Sequence, residues 1–177
     1  MQDRFTVGRR IRVAVATPNF GGVTMGFYTA NNVQTIAPNG SVVFDTVVIK
    51  DTTGKIKFTE GSSVFGLSGG ANKRNTCPCC NNTPCKQFPI NFGANIAIPT
   101  GGTAGEISIA FAVNGATVPV STMIATPAAV EEFRNVSCEI PVPIWCGCCQ
   151  YVTVVNLSDQ PILMKNAHIE ILGDKLQ

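Results

Sequence analysis

The chain has 177 residues, 45% of them hydrophobic and 14% charged, with a formal net charge of +2. That length suits one domain with a terminal arm, and so small a charge gives no argument for nucleic acid or an anionic membrane. A sparsely charged surface around an ordinary core fraction points to surface covered by other subunits.

No apolar run approaches the length of a membrane span. The opening MQDRFTVGRRIRVAV places Asp3 and several arginines where a secretory leader needs an apolar core, so synthesis without export by the general route is expected. Residues 1–30 read as an arm. Arg4, Arg9, Arg10 and Arg12 crowd its start, Val13–Ala16 suit a short strand, and Thr17-Pro18-Asn19-Phe20-Gly21-Gly22 breaks regular structure. The arm is either a solvated segment or a docking element that lays its arginines on an acidic neighbouring subunit. Aromatic interleaving and lysine runs are missing, which argues against a nucleic-acid arm.

From Asn32 onward the pattern is that of strands, and 31–177 is expected to be one domain. Val33–Ile36 is followed by the turn Ala37-Pro38-Asn39-Gly40. Ser41–Lys50 is a β-branched run, Asp51-Thr52-Thr53-Gly54 turns, and Lys55–Thr59 alternates. Ser63–Leu67 is a short apolar segment. A cysteine-rich loop over 72–86 interrupts the pattern, and Phe88–Phe92 and Ile96–Ile98 resume it.

The stretch Ile96–Gly115 is the clearest. Pro99-Thr100-Gly101-Gly102 makes a tight turn. Ile107, Ile109, Phe111 and Val113 then share one face, with Glu106, Ser108, Ala110 and Ala112 on the other, and Asn114-Gly115 is a strong hairpin signal. A strand so apolar on one face needs a second sheet to cover it. Val118–Val120 and Met123–Thr126 suit an edge strand broken by Pro119, and Pro127–Phe133 is expected to form one helical turn. Strands are predicted over Val136–Ile144, Tyr151–Leu157 and Pro161–Leu172. About ten short strands with almost no helix define an all-β, two-sheet antiparallel jelly roll.

The eight cysteines fall into Cys77, Cys79, Cys80 and Cys85, then Cys146, Cys148 and Cys149, with Cys138 between. Three states compete. Disulfides between clusters or between subunits are favoured, and would form after release from a reducing cytoplasm. Zinc held by four thiolates from the two clusters is the alternative, although the usual C-x₂-C spacing is missing. Free thiols acting as small hydrophobes are the third, best suited to Cys138.

No catalytic constellation emerges. His168, the one histidine, sits in the alternating strand Ala167–Ile171, as a solvent-face residue rather than a general base. Asp45, Asp51, Asp159 and Asp174 lie in or near turns, and Glu131-Glu132 suits a solvated helix face. Gly69-Gly70 and Gly101-Gly102 are turn glycines, not a phosphate cradle. Trp145, beside the second cysteine cluster, and Tyr151 suit core packing or a contact hot spot.

Gly40-Ser41-Val42-Val43-Phe44-Asp45-Thr46-Val47 resembles the second strand of the tumour necrosis factor/complement globular-head superfamily. The run from Phe92 through Ile98-Pro99-Thr100-Gly101-Gly102 to Ile109 resembles that family's strand, glycine turn and core strand. Thr153–Ile162 resembles the last hairpin of spore-surface collagen-like glycoproteins. Ala112–Gly115, Met123–Pro127 and the C-G-C-C turn Cys146–Cys149 are similar to segments of bacteriophage head-decoration and head-fibre proteins. The resemblance covers about residues 32 to 172. It implies a TNF-like jelly roll that assembles as a homotrimer and works at a surface. The missing G-X-Y tract and leader favour a virion protein: a capsid decoration, auxiliary or head-fibre subunit assembled in the host cytoplasm. Its arm would dock on the major capsid protein or another virion subunit through Arg4, Arg9, Arg10 and Arg12. The alternative is a trimeric spore- or cell-surface module that recognises a glycan or receptor. Neither reading implies an enzyme, a cofactor beyond the zinc left open above, nucleic acid or a membrane.

Overall fold

The computed structural model describes residues 24–69, 86–145 and 148–175. Their backbone forms twelve strands. In chain order these are β1 (Thr24–Ala30), β2 (Gln34–Ile36), β3 (Thr46–Ile49), β4 (Ile56–Lys57), β5 (Phe65–Ser68) and β6 (Lys86–Ala97). There follow β7 (Ile107–Val113), β8 (Ala116–Thr117), β9 (Met123–Ala125), β10 (Arg134–Ile144), β11 (Cys149–Asn156) and β12 (Ile162–Lys175). Sheet one runs β10-β6-β12-β1-β3, with β2 also on β12; sheet two runs β4-β5-β11-β7-β8, with β9 also on β7. Neighbours are antiparallel throughout, for example Ile140↔Ile90 and Val154↔Phe111. The two faces close over one core, which is the predicted jelly roll.

Period-two alternation builds each layer. On β10, Val136, Ile140, Val142 and Ile144 are buried, while Ser137, Glu139, Pro141 and Pro143 are exposed. Two prolines are tolerated there because β10 is an edge strand. On β7 Ile107, Ile109 and Phe111 of the predicted apolar face are buried and Val113 is half-buried, while Ala110 and Ala112 on the other face are buried as well. Aromatic rings tie the layers together. Phe44 lies 5.2 Å from Phe65 and 6.5 Å from Phe92, and Phe92 lies 6.2 Å from Phe111. Full burial of such a ring stabilises the fold by roughly 1.5–3 kcal/mol.

Turn chemistry holds where it was predicted. Asn114 (φ 52°) and Gly115 (φ 83°) both take positive φ between β7 and β8, the requirement of a type I′ hairpin. In the glycine turn, Gly102 N donates to Pro99 O at 3.0 Å. Gln160 straps this turn to the β11–β12 turn, accepting from Thr103 N (3.0 Å) and donating to Thr103 O (2.9 Å).

Four expectations change. The expected arm, 1–30, includes Thr24–Ala30, which is β1 and pairs with both β12 and β3; residues 1–23 lie outside the described set. Ser41–Lys50 is not one strand. Ser41 bridges Val155 of sheet two, and only Thr46–Ile49 pairs in sheet one, so the run crosses between layers. Val118–Val120 leads into a 3₁₀ turn, Pro119–Ser121, where Ser121 Oγ accepts from Phe111 N (2.9 Å) in place of a strand partner. Pro127–Phe133 forms no helix. Glu131 adopts φ 61°, its N–H donates to Ile98 O at 2.7 Å, and Glu132 accepts from Ala128 N at 2.7 Å to close a turn. Left-handed backbone at Glu131 is incompatible with a continuing right-handed helix.

Candidate functional site

Arg4, Arg9, Arg10 and Arg12 lie outside the described residues, as do Cys77, Cys79, Cys80, Cys85 and Cys146. Of the other cysteines, Cys138 and Cys149 are free thiols and Cys148 is disulfide-bonded. Cys138 sits half-buried on the inner face of β10; burial first, and then the charge of Glu139, push its thiol up from the ordinary range. Among the described residues no three His, Cys, Asp or Glu side chains gather as a metal site would require. His168 stands on the outer face of sheet one, opposite Gly93, with its ring 6.1 Å from that of Phe27. Trp145 is half-buried, and its carbonyl accepts from Cys148 N at 3.0 Å.

Three surfaces stand out. The first is the outer face of sheet one at β1 and β12. Met25 faces Leu172 directly, and Phe27 faces Ile49 of β3. Leu172 and Ile49 remain 38% and 41% exposed.

The second is an apolar groove of about 370 Å³ at the edge where β10 meets β7 and the 3₁₀ turn. Val118, Val120, Pro141 and Pro143 line it, and Val120 is 88% exposed.

The third is a concavity of about 740 Å³ on the outer face of sheet two. Its floor is Ala112, paired with Thr153 of β11, and Tyr151 and Val155 share that face of the strand. Tyr151 is 57% exposed. Its ring lies beside Gly66, where a Cβ would come within 3.6 Å of Tyr151 Cε1, so the absent side chain opens one flank. Asn114 Oδ1 accepts from Tyr151 N at 2.9 Å, which fixes the amide and leaves Nδ2 on the far side. Asn39 and Ser41 close the opposite end. Among the described residues no charged side chain lines the concavity.

Sequence reading placed Tyr151 near the cysteine turn, in a core or contact role, and did not connect it with Asn39, Ser41 and Asn114. Its alternation with Val152 and Val154 was the available signal, because those two point to the core.

No protein-family model matches the chain, and no curated protein matches it. Solved structures match it in fold. The globular domain of zebrafish complement 1qA protein aligns with a TM-score of 0.53 at 10% identity, covering 87% of this chain and 98% of that one. Eiger TNF from S. frugiperda aligns with a TM-score of 0.57 at 8% identity, covering 88% of this chain and 94% of that one. The chain therefore has a jelly roll of the TNF/C1q type. At such identities the likeness is one of fold and carries no residue role across.

Proposed function

We propose that the chain is a non-catalytic structural subunit that closes into a homotrimer and decorates a bacteriophage virion. One observation carries the assembly: the two apolar patches are unlike and lie on different sides of the sandwich. The groove at Val118, Val120, Pro141 and Pro143 is concave, whereas the Phe27–Ile49–Leu172 face is a sheet surface. Unlike patches that fit one another make a head-to-tail contact, which closes as a ring where the rotation between copies permits and otherwise runs on as a filament. Three copies is the number that the sequence resemblance implies. The low charge of the chain, 14%, supports extensive covered surface. The virion setting is supported by the segments similar to head-decoration and head-fibre proteins, with the arginine-rich arm as the docking element.

The test is native mass spectrometry with sedimentation. Wild type should be a trimer, and Val120→Asp and Leu172→Glu should each give folded monomers. Mixed together, the two variants retain one intact groove and one intact face, so they should form dimers. A folded wild-type monomer at micromolar concentration would remove the proposal.

The uncharged concavity on sheet two favours a second reading, a trimeric binding module on a spore or cell surface.

A further inference from the structure

We infer that the concavity on the outer face of sheet two is a binding site for a neutral oligosaccharide. The inference deepens the binding-module reading and rests on it; it does not require the ring.

The lining chemistry selects the ligand. A pyranose ring has an apolar C–H face and a rim of hydroxyls. It therefore needs an exposed aromatic ring on which to stack, together with amide and hydroxyl groups at the rim. Tyr151 supplies the ring, fixed to the sheet through the hydrogen bonds that its N–H and carbonyl make with Asn114. Asn114 Nδ2 is a donor held in place by the same contact. Asn39, Ser41 and Thr153 add an amide and two hydroxyls around the small floor of Ala112. Three alternatives fit poorly. An anionic ligand would find no cation among the described residues that line the concavity itself, and a lipid or apolar peptide would leave these polar groups unpaired. An extended polar peptide lacks an edge to pair with, because β11 is already flanked by β5 and β7.

Length also fits. Tyr151 and Val64 line a second depression of about 400 Å³ beyond Gly66, so the track continues past the aromatic ring from the uncharged concavity into a stretch that also carries Lys50, Asp51 and Lys57. That is room for several sugar units in a row. A chain of units gives the site its affinity by repetition, since each unit alone makes few contacts.

The experiment uses the full chain on an array of neutral oligosaccharides that includes cello-, manno- and N-acetylchito-hexaose, followed by titration calorimetry of any hit. Wild type should bind at least one neutral glycan. Tyr151→Ala should weaken that binding about tenfold or more, Tyr151→Phe should retain it, and Asn114→Asp should weaken it by removing the Nδ2 donor. Tyr151 is exposed, so circular dichroism and the melting temperature should not change, and loss of folding is then not the cause. Glycan binding that survives Tyr151→Ala overturns this site while keeping the binding-module reading. Binding of no array glycan overturns both.

Discussion

Asp51 holds the turn between β3 and β4 by itself. Its carboxylate accepts from Lys55 N (2.7 Å), Ile56 N (2.9 Å), Thr53 N (3.0 Å) and Thr53 Oγ1 (2.8 Å). Burial disfavours its charge, but the donors at Ile56, Thr53 and Lys55 outweigh that and hold the carboxyl below its ordinary value. A lowered folded pKa contributes stability that is complete above the unfolded value of 3.8 and is lost as pH falls from there through the folded value. Asp51→Ala strands those N–H groups and should cost about 2–4 kcal/mol in urea unfolding at neutral pH. The gap between variant and wild type should narrow as the pH is taken to about 3 and below. Tyr28 moves the opposite way: burial, then the Asp51 charge, push its hydroxyl up to about 12, so it stays neutral at any ordinary pH. That Asp51 would serve a turn was legible in DTTG; that one carboxylate would collect four donors was not, because the donors depend on how the chain curls back toward Ile56.

At the scale of elements, β12 carries the least obvious feature. Its register slips between Lys165 and His168, and Asn166 takes φ 52°. The extra residue is a bulge. It switches the buried set from Ile162 and Met164 to Ala167, Ile169 and Ile171, and so turns His168 outward. The switch is written in the sequence as a three-residue step from Met164 to Ala167 within a strand that otherwise steps by two. Asn tolerates left-handed backbone far better than a β-branched residue. Asn166→Val should therefore lose about 1–3 kcal/mol relative to Asn166→Gly in thermal or denaturant unfolding. Arg134–Ile144 was readable because one face alone is buried, and Ile107–Val113 because its large apolar side chains alternate even though the alanines between them are buried too. β1 was hidden: Met25 and Phe27 on one face and Tyr28 and Ala30 on the other blur the period, and Gly26 weakens it. The predicted helical turn failed because Glu131 bonds to Ile98, just past the end of β6, a tertiary contact that local propensity does not contain.

For the molecule as a whole, alternation and turn residues were enough to make a two-layer body legible. The surfaces were not, since Val120 and Pro141 read as ordinary strand residues until an edge exposes them. Ring closure and docking are separable. Arg9→Glu/Arg10→Glu protein should remain trimeric but fail to decorate bare shells in a particle-binding assay. Wild-type occupancy would remove the docking role of the arm. A charge introduced at Val120 or Leu172 acts on the other property and should leave the sandwich folded, because each side chain projects from the core rather than into it.

The position of β12 between β6 and β1 governs how the chain reaches this state. Every other described strand leaves the ribosome before it, yet sheet one has no centre until it arrives. The growing polypeptide must therefore hold apolar strips of sheet one unpaired until β12 joins them. Such non-local closure is slow, so a chaperone that shields the unfinished layer would raise yield more than any gain in the stability of the finished one.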